Sequence, residues 1–170
     1  MNENDFALTT SYNRKGFDFF RTKVILTKPK KVVKDQISGK QFTFDTSNSI
    51  EYNAVWDTGA SRSLIDKKIA KDLDLKSIGT TTAQHYKDKE STNVYKVDMI
   101  IPNTREKRQA VIENLTVAEE ENFSGDVIIG MDLIQSLDIA ITHTEEIINF
   151  SIRKPTNQII DFELHGYEKK

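Results

Sequence analysis

Cysteine is absent from this chain of 170 residues, and no long run of apolar residues interrupts its polar sequence. The first absence excludes a disulfide framework, a thiolate metal site and a cysteine nucleophile. The second excludes a membrane-spanning helix, which needs about 20 consecutive apolar residues. The opening stretch MNENDFALTTSYNRKG also lacks the apolar core of a secretion signal. We therefore expect a soluble, cytoplasmic protein with no membrane partner.

An excess of charge of either sign is missing as well. Lysine and arginine total 24 against 26 aspartates and glutamates, which gives a formal net charge of −2. Such a chain has no general attraction for nucleic acid or anionic membranes. The short basic segment at residues 30–34 lacks interleaved aromatic residues. We interpret it as a solvated hairpin edge that discourages strand pairing, with a nucleic-acid patch as the alternative.

The residues that are present indicate a mostly β chain. An apolar content of 37% in 170 residues is enough to bury one core, and one domain is the default. Segments rich in β-branched and aromatic residues predict strands: FDFFRTKVIL from Phe17, Ile50–Trp56, QAVIENLTVAEE, Val127–Ile129, IAIT with IINFSI, and a further candidate at residues 158–164. The polar residues 1–15 are predicted to form a loose arm.

Two short helices are expected among these strands. After Trp56 the segment SLIDKKIAKDLDL changes to a helical period, with Ile65, Ile69 and Leu73 on one face. Ser63, followed three residues later by Asp66, resembles a capping box. A second helical turn, LIQSL, follows the strand Val127–Ile129.

Two turns that follow apolar strands carry the chemical signal. The stretch AVWDTGASRSLI places Asp57 directly behind an apolar run, where a carboxylate loses hydration. An ordinary turn is the simpler interpretation, because Asp and Gly are common turn residues. However, a second apolar strand, Val127–Ile129, also runs into a turn, at Gly130 and Asp132. The two turns together are far more informative than either turn by itself.

With both turns in place, the sequence resembles the retropepsins, the retroviral-type aspartic proteases, and especially their bacterial branch. The family has an apolar pair before Asp-Thr-Gly-Ala, a hairpin called the flap, an apolar run before Gly, a short helix and a closing strand. This chain has, in that order, VWDTGAS, residues 80–101, VIIGMDLI and IINFSI. The resemblance covers roughly residues 17–155. It implies a closed β-barrel with one active-site loop per protomer. Outside the resemblance we predict a polar N-terminal arm of residues 1–16 and a C-terminal tail of residues 156–170 with a possible extra strand.

By this resemblance Asp57 is the catalytic residue, in an active-site loop that continues through Thr58, Gly59, Ala60 and Ser61. The chemistry needs two carboxylates that share one proton, so that one acts as a base toward water and the other as an acid. Gly59 lets the backbone of the turn approach the carboxylates closely. The resemblance also implies that the Thr58 hydroxyl locks two such loops together across a molecular axis.

The second family motif and the flap complete the predicted site. The motif consists of Ile129, Gly130 and Asp132, and the resemblance implies that Gly130 lets the second apolar strand cross under the loop. We interpret Asp132 as a helix cap, with contact to the active-site loop as the alternative. The flap tip is expected to contact substrate and is poorer in glycine than retroviral flaps; it consists of His85, Tyr86, Lys87, Asp88, Lys89 and Glu90.

One Asp-Thr-Gly per chain supplies only half of the carboxylates that this chemistry needs. The other candidate, Phe44-Asp45-Thr46-Ser47, has Ser in place of Gly and no apolar run before it. A two-fold dimer instead places Asp57 beside its own copy. The sequence therefore predicts an aspartic endopeptidase that acts on peptides as a homodimer, without a cofactor and without a nucleic-acid partner.

Other hypotheses compete with this one. A binding or assembly module with the same fold and little cleavage is the main alternative, although the presence of all three loop residues favours the enzyme. A glycosidase would need two unlike carboxylates in different environments, which the sequence does not offer. No metal site is expected, because the histidines share no ligand spacing; they lie in the hairpin, a turn and the tail, at His85, His143 and His165.

Overall fold

The structure is a computed structural model that describes residues 6–29, 50–84, 89–102, 109–121, 123 and 125–154. Within these residues the strands are β1 Ala7–Asn13, β2 Arg21–Thr27, β3 Ile50–Trp56, β4 Leu64–Asp66, β5 Gly79–Gln84, β6 Lys89–Pro102, β7 Gln109–Glu120, β8 Val127–Ile129, β9 Asp138–His143 and β10 Ile147–Arg153. The helices are α1 Lys67–Asp72 and α2 Met131–Ile134. The predicted mostly β chain with two short helices is confirmed. No helix in these parts of the chain is long and apolar enough to cross a membrane.

Several sequence predictions fall outside the described residues. They concern the hairpin edge at residues 30–34, the rejected Asp-Thr-Ser candidate at residues 45–47, the flap tip at residues 85–88 and the strand candidate at residues 158–164.

Six strands close into a barrel, in the order β2-β3-β8-β4-β7-β6, because β6 pairs with β2 as well as with β7. The pairings β3–β8 and β4–β7 are parallel, and the remaining ones are antiparallel. A closed barrel leaves no free strand edge in its wall. The closed barrel implied by the family resemblance is thus confirmed.

Alternation along the strands fills the barrel with apolar side chains, since successive residues of a strand point to opposite faces. In β2 the buried residues Val24 and Leu26 alternate with more exposed neighbours. The core contains, among others, Ala54, Trp56, Ile65, Val97, Met99, Ile101, Val117, Val127 and Ile129. Helix α1 adds Ile69 and Ala70, which are both buried. Strand β3, which precedes Asp57, therefore contributes side chains to the core.

Helix α1 is shorter than the sequence predicts. It begins at Lys67, and Ile65 belongs to the preceding strand β4, which pairs with both β7 and β8. The N-cap is Asp66, whose Oδ1 accepts a hydrogen bond of 2.7 Å from the Lys68 N–H. The predicted capping box headed by Ser63 is therefore wrong, and the Ser63 side chain has a different partner.

The prediction of a loose N-terminal arm is wrong for residues 7–13. Strand β1 pairs antiparallel with β10, so that Ala7 lies opposite Arg153 and Asn13 lies opposite Ile147. On its other side β10 pairs with β9, which gives a three-stranded sheet, here called the terminal sheet. Leu8 and Tyr12 of β1 pack against the core. The domain boundary after residue 16 remains a prediction.

The terminal sheet supports the end of β3 through aromatic contacts. The Phe150 ring stacks on Phe20, with the ring centroids 4.6 Å apart, and also packs against Trp56 at 5.4 Å. The Trp56 Nε1–H donates a hydrogen bond of 3.0 Å to Thr22 Oγ1. Buried aromatic clusters hold their members in defined geometry as well as burying area. Trp56, the residue before Asp57, is thereby fixed between the barrel and the terminal sheet.

Candidate active site

Asp57 lies directly after β3, at the same edge of the barrel as the end of β8. The two strands run parallel, with Trp56 opposite Ile129. The Asp57 N–H continues this pairing by donating a hydrogen bond of 3.0 Å to the Ile129 carbonyl oxygen. The two motifs singled out in the sequence are therefore neighbours in the structure.

The active-site loop folds back onto the Asp57 carboxylate. Its Oδ1 accepts a hydrogen bond of 2.7 Å from the Gly59 N–H, and the Asp57 carbonyl accepts one of 3.3 Å from the Ala60 N–H. A Cβ added at Gly59 would lie 3.1 Å from that same Oδ1, which is tighter than ordinary contact. Asp57 is half-buried, whereas Thr58, Gly59 and Ser61 are exposed. The loop thus orients the carboxylate while it remains at the surface of the protomer.

Gly130 is the point at which the second motif crosses the active-site loop. An added Cβ would lie 2.5 Å from the carbonyl carbon of Arg62, 2.6 Å from its oxygen and 2.9 Å from the Ala60 oxygen. The Met131 N–H donates a hydrogen bond of 2.8 Å to the Ala60 oxygen. Because all of these neighbours are backbone atoms, they cannot rotate away. Glycine is required here because a side chain has no room, and not because of backbone conformation: other residues also adopt its φ of −94°.

Ser63 and Asp132 join the two motifs through side chains. Ser63 is fully buried, and its Oγ donates a hydrogen bond of 2.7 Å to Asp132 Oδ1. Asp132 Oδ2 accepts a second bond of 3.0 Å from the Ser63 N–H. The Ser63 Oγ in turn accepts a bond of 3.1 Å from the Gly130 N–H. This three-bond link between Ser63 and the Gly130–Asp132 turn is here called the loop clasp.

The loop clasp corrects the main interpretation of Asp132. The N-cap of α2 is Gly130, which has no side chain to cap with, and the Asp132 carboxylate instead binds Ser63 beside the active-site loop. The alternative offered for Asp132 therefore holds. Ser63 itself was missed as a site residue. The available signal was a hydroxyl next to the apolar pair Leu64-Ile65, because a buried hydroxyl requires a hydrogen-bond partner.

The hairpin predicted at residues 80–101 is formed by β5 and β6, and its role as a flap stays a prediction. Gly79 lies opposite Val94, and Gln84 lies opposite Lys89. Arg62 Nη1 donates a hydrogen bond of 3.3 Å to Thr81 Oγ1, which connects the active-site loop to β5. Substrate contact by the tip, His85, Tyr86, Lys87, Asp88, Lys89 and Glu90, stays a prediction, since the side chains of residues 83–90 are not described.

A second polar cluster lies outside the active-site loop. The Glu119 carboxylate accepts hydrogen bonds of 2.7 Å from both the Tyr95 hydroxyl and the Asn93 amide. Burial, followed by the neighbouring Glu119 carboxylate, raises the pKa of Tyr95 to about 12. This cluster borders a groove that also contains Lys67 and Glu121, which form an ion pair of 2.8 Å. These polar groups satisfy one another, and none of residues 57–63 lines the groove.

No group of three or more potential metal-binding side chains occurs in the described parts of the chain. Of the histidines, only His143, in β9, lies within those parts.

The closed barrel and the Asp-Thr-Gly loop held by a Gly-x-Asp turn define a retropepsin-like protein. A family model for aspartyl proteases matches residues 42–133, more than half of the sequence, so the chain belongs to the aspartyl protease family. The match includes the active-site loop, the β5–β6 hairpin and the loop clasp, and it ends within α2.

Among solved structures, the chain is similar to a retropepsin-like aspartic protease from Rickettsia conorii. The TM-score is 0.50 at 13% sequence identity, and the match covers 89% of this chain and 94% of the other. At this identity the similarity shows the fold, which is retropepsin-like. A search of curated proteins finds no significant match.

Proposed function

We propose that this protein is an aspartic endopeptidase that works as a homodimer, in which each protomer supplies one Asp57 carboxylate. The observation that carries the proposal is the Asp57 loop itself. One carboxylate oxygen is held by the Gly59 N–H, while Thr58 and Gly59 remain exposed at the surface of the protomer. Membership of the aspartyl protease family supports peptide hydrolysis as the reaction.

The mechanism follows from placing two such carboxylates side by side. Two like charges about 3 Å apart cannot both ionise, so the pair holds one proton. The ionised Asp57 removes a proton from water as the water attacks the peptide carbonyl, and the protonated Asp57 of the other protomer donates to the developing oxyanion. The first Asp57 then gives its proton to the amide nitrogen as the C–N bond breaks, and the second takes one back from a hydroxyl of the tetrahedral intermediate. The Gly59 N–H fixes the orientation of each carboxylate. The titration belongs to the pair and not to either residue.

The edge of β9 is the surface that we assign to the dimer contact. Of the described strands, only β10 pairs with β9. The sequence DIAITH contains no lysine and no proline, which are the residues that protect an exposed edge from pairing. Ile141 on this edge is 52% exposed, and its pairing partner Phe150 packs against Trp56. A two-fold axis at this edge therefore passes near the strand that delivers Asp57.

The proposal is tested by Asp57→Asn, which keeps the shape of the side chain and removes the ionisable group. Because symmetry changes both members of the pair, cleavage of a mixed peptide library should fall to background. Folding and dimerisation should persist, since the change relieves carboxylate repulsion at the axis. Asp45→Asn, in the Asp-Thr-Ser segment of the sequence, is the matched control and should cleave as the wild type does.

The outcomes separate the enzyme from the binding module. Equal cleavage by the wild type and by Asp57→Asn contradicts the catalytic role of Asp57. Absence of cleavage by both, with a well-formed dimer in sedimentation, favours the retropepsin-fold binding module instead. For the wild type, activity per protomer should also fall on dilution, because the complete site exists only in the dimer.

A further inference from the structure

Arg62 lies at a fixed point of the active-site loop. It is the only charged residue between Asp57 and Ser63 in the sequence. Its carbonyl group lies against Gly130, where no Cβ fits, and the next residue is Ser63 of the loop clasp. The backbone that carries the guanidinium is therefore held on both sides. A charged group on such a backbone is pre-organised, which reduces the entropy lost when it binds a partner.

The guanidinium extends from this loop to the flap hairpin. Its contact there is a 3.3 Å hydrogen bond from Nη1 to the neutral hydroxyl of Thr81 in β5. Arg62 is exposed, and no carboxylate of the described residues lies within ion-pair distance of it. A single long bond to a neutral acceptor uses one of the five N–H donors of an arginine.

These positions place a positive charge on the path of the substrate. In the proposed function the peptide lies between Asp57 and the β5–β6 hairpin, and Arg62 spans these two walls. Guanidinium groups bind carboxylates through two parallel hydrogen bonds, which are stronger than bonds to neutral groups. A substrate carboxylate therefore gives Arg62 a better partner than Thr81 does.

We propose that Arg62 is a specificity-determining residue that binds an Asp or Glu side chain of the substrate near the scissile bond. The inference rests on the proposed function and names the substrate class of that same site, peptides with an acidic residue. In the absence of peptide, the Thr81 hydroxyl holds the guanidinium through its hydrogen bond from Nη1. The simpler role for Arg62, a brace between the loop and the hairpin, predicts a different result in the following experiment.

Binding is measured first, in full-length Asp57→Asn protein, so that the peptides stay intact. The probes are fluorescent octapeptides with apolar residues at the two central positions and one Glu, Gln or Lys at each other position in turn. At the preferred position we expect the Glu peptide to bind about tenfold more tightly than the Gln peptide. Adding Arg62→Gln should abolish this ratio, and adding Arg62→Glu should transfer the preference to the Lys peptide.

Thr81→Val is the matched control, because it removes the brace and keeps the guanidinium. It should preserve the preference for Glu. A Glu-to-Gln ratio that is the same with Arg62 and with Arg62→Gln overturns the proposal, as does loss of the preference in Thr81→Val alone.

Cleavage of the same peptides by proteins with an intact Asp57 separates this inference from the proposed function. Cleavage without any acidic preference overturns the role of Arg62 and leaves the protease. Absence of cleavage, together with Arg62-dependent binding of the Glu peptide, overturns the protease and leaves the role of Arg62 as a binding residue.

Discussion

The Ser63 hydroxyl donates a hydrogen bond of 2.7 Å to the Asp132 carboxylate, across 69 positions of sequence. The same oxygen accepts the Gly130 N–H, so one buried atom joins the end of the active-site loop to the second motif. At the start of that loop, the Asp57 N–H binds the Ile129 carbonyl. Both ends of the loop are therefore hydrogen-bonded to the segment Ile129–Asp132. The position of the Asp57 carboxylate depends on that segment.

Removing the loop clasp should lower the stability of the protein. Ser63→Ala leaves the buried Gly130 N–H without its acceptor, so we expect the free energy of unfolding to fall by about 1–3 kcal/mol. Asp132→Asn should also destabilise the protein, and the double variant should lose less than the sum because the two residues share a bond. Urea unfolding at a fixed protein concentration measures the unfolding free energy of the two single variants and of the double variant.

The control for the loop clasp is Ser91→Ala, at an exposed serine of β6, which should change stability by less than about 0.5 kcal/mol. Strict additivity of Ser63→Ala and Asp132→Asn would contradict the clasp.

Two glycines of the site should respond differently to a methyl group. Gly130→Ala places Cβ among backbone carbonyls, so we expect a loss of more than about 3 kcal/mol, or failure to fold. Gly59→Ala meets only the Asp57 carboxylate, at 3.1 Å. It should keep the fold and lower cleavage, because the carboxylate must shift. Circular dichroism with urea unfolding follows the first effect, and peptide cleavage follows the second. Equal stability of the two variants would argue against the crossing.

The β9 edge should decide the oligomeric state. Ile141→Lys puts a charge on the edge that we assign to the dimer, so sedimentation velocity should show a shift toward monomer. Cleavage should fall in parallel. Val111→Lys makes the same change on β7, at an exposed position of the barrel wall, and should leave both properties unchanged. If Ile141→Lys stays dimeric at the concentrations at which the wild type does, the interface lies elsewhere.

Alkaline pH should reveal the Tyr95–Glu119 contact. The folded state holds the Tyr95 proton up to a pKa of about 12, against an ordinary value of 10.0. The corresponding stability is fully present below pH 10 and is lost as the pH rises from 10 to 12. Tyr95→Phe has no proton to lose at this position, so its unfolding free energy should fall less steeply over that window. Parallel curves for the two proteins would show that Tyr95 titrates normally.

Much of the fold could be predicted because its strands carry their own signals. Strand β3 is bounded as predicted, since β-branched and apolar residues precede an unmistakable turn. Strand β1 was missed because ALTTSYN gains its stability from β10, whose pairing residues lie at the other end of the chain. Ile65 fits the helical period equally well as a strand residue, and its neighbours in β7 and β8 decide the outcome. Tertiary pairing overrides local propensity in both cases.

The site was predicted only in part, because some of its residues stand in local motifs and others have distant partners. Asp57 and Gly130 stand in short motifs whose spacing is visible in the sequence. Ser63 was missed because Asp66, three residues later, is a plausible local partner, whereas its actual partner Asp132 is distant in the sequence. A short-range pattern cannot rank a remote acceptor above a nearby one.

The order in which the chain is synthesised has a consequence for the active-site loop. Residues 57–63 leave the ribosome well before Ile129, Gly130 and Asp132, whose backbone and side chains hold them in place. Strand β1 cannot pair until its partner β10 has been synthesised, which happens later still. Pairings between such distant segments slow folding, to the range of milliseconds to seconds in small domains dominated by them. A nascent chain that ends before residue 130 therefore carries Asp57 without the turn that holds its loop, and that loop is ordered only late in synthesis.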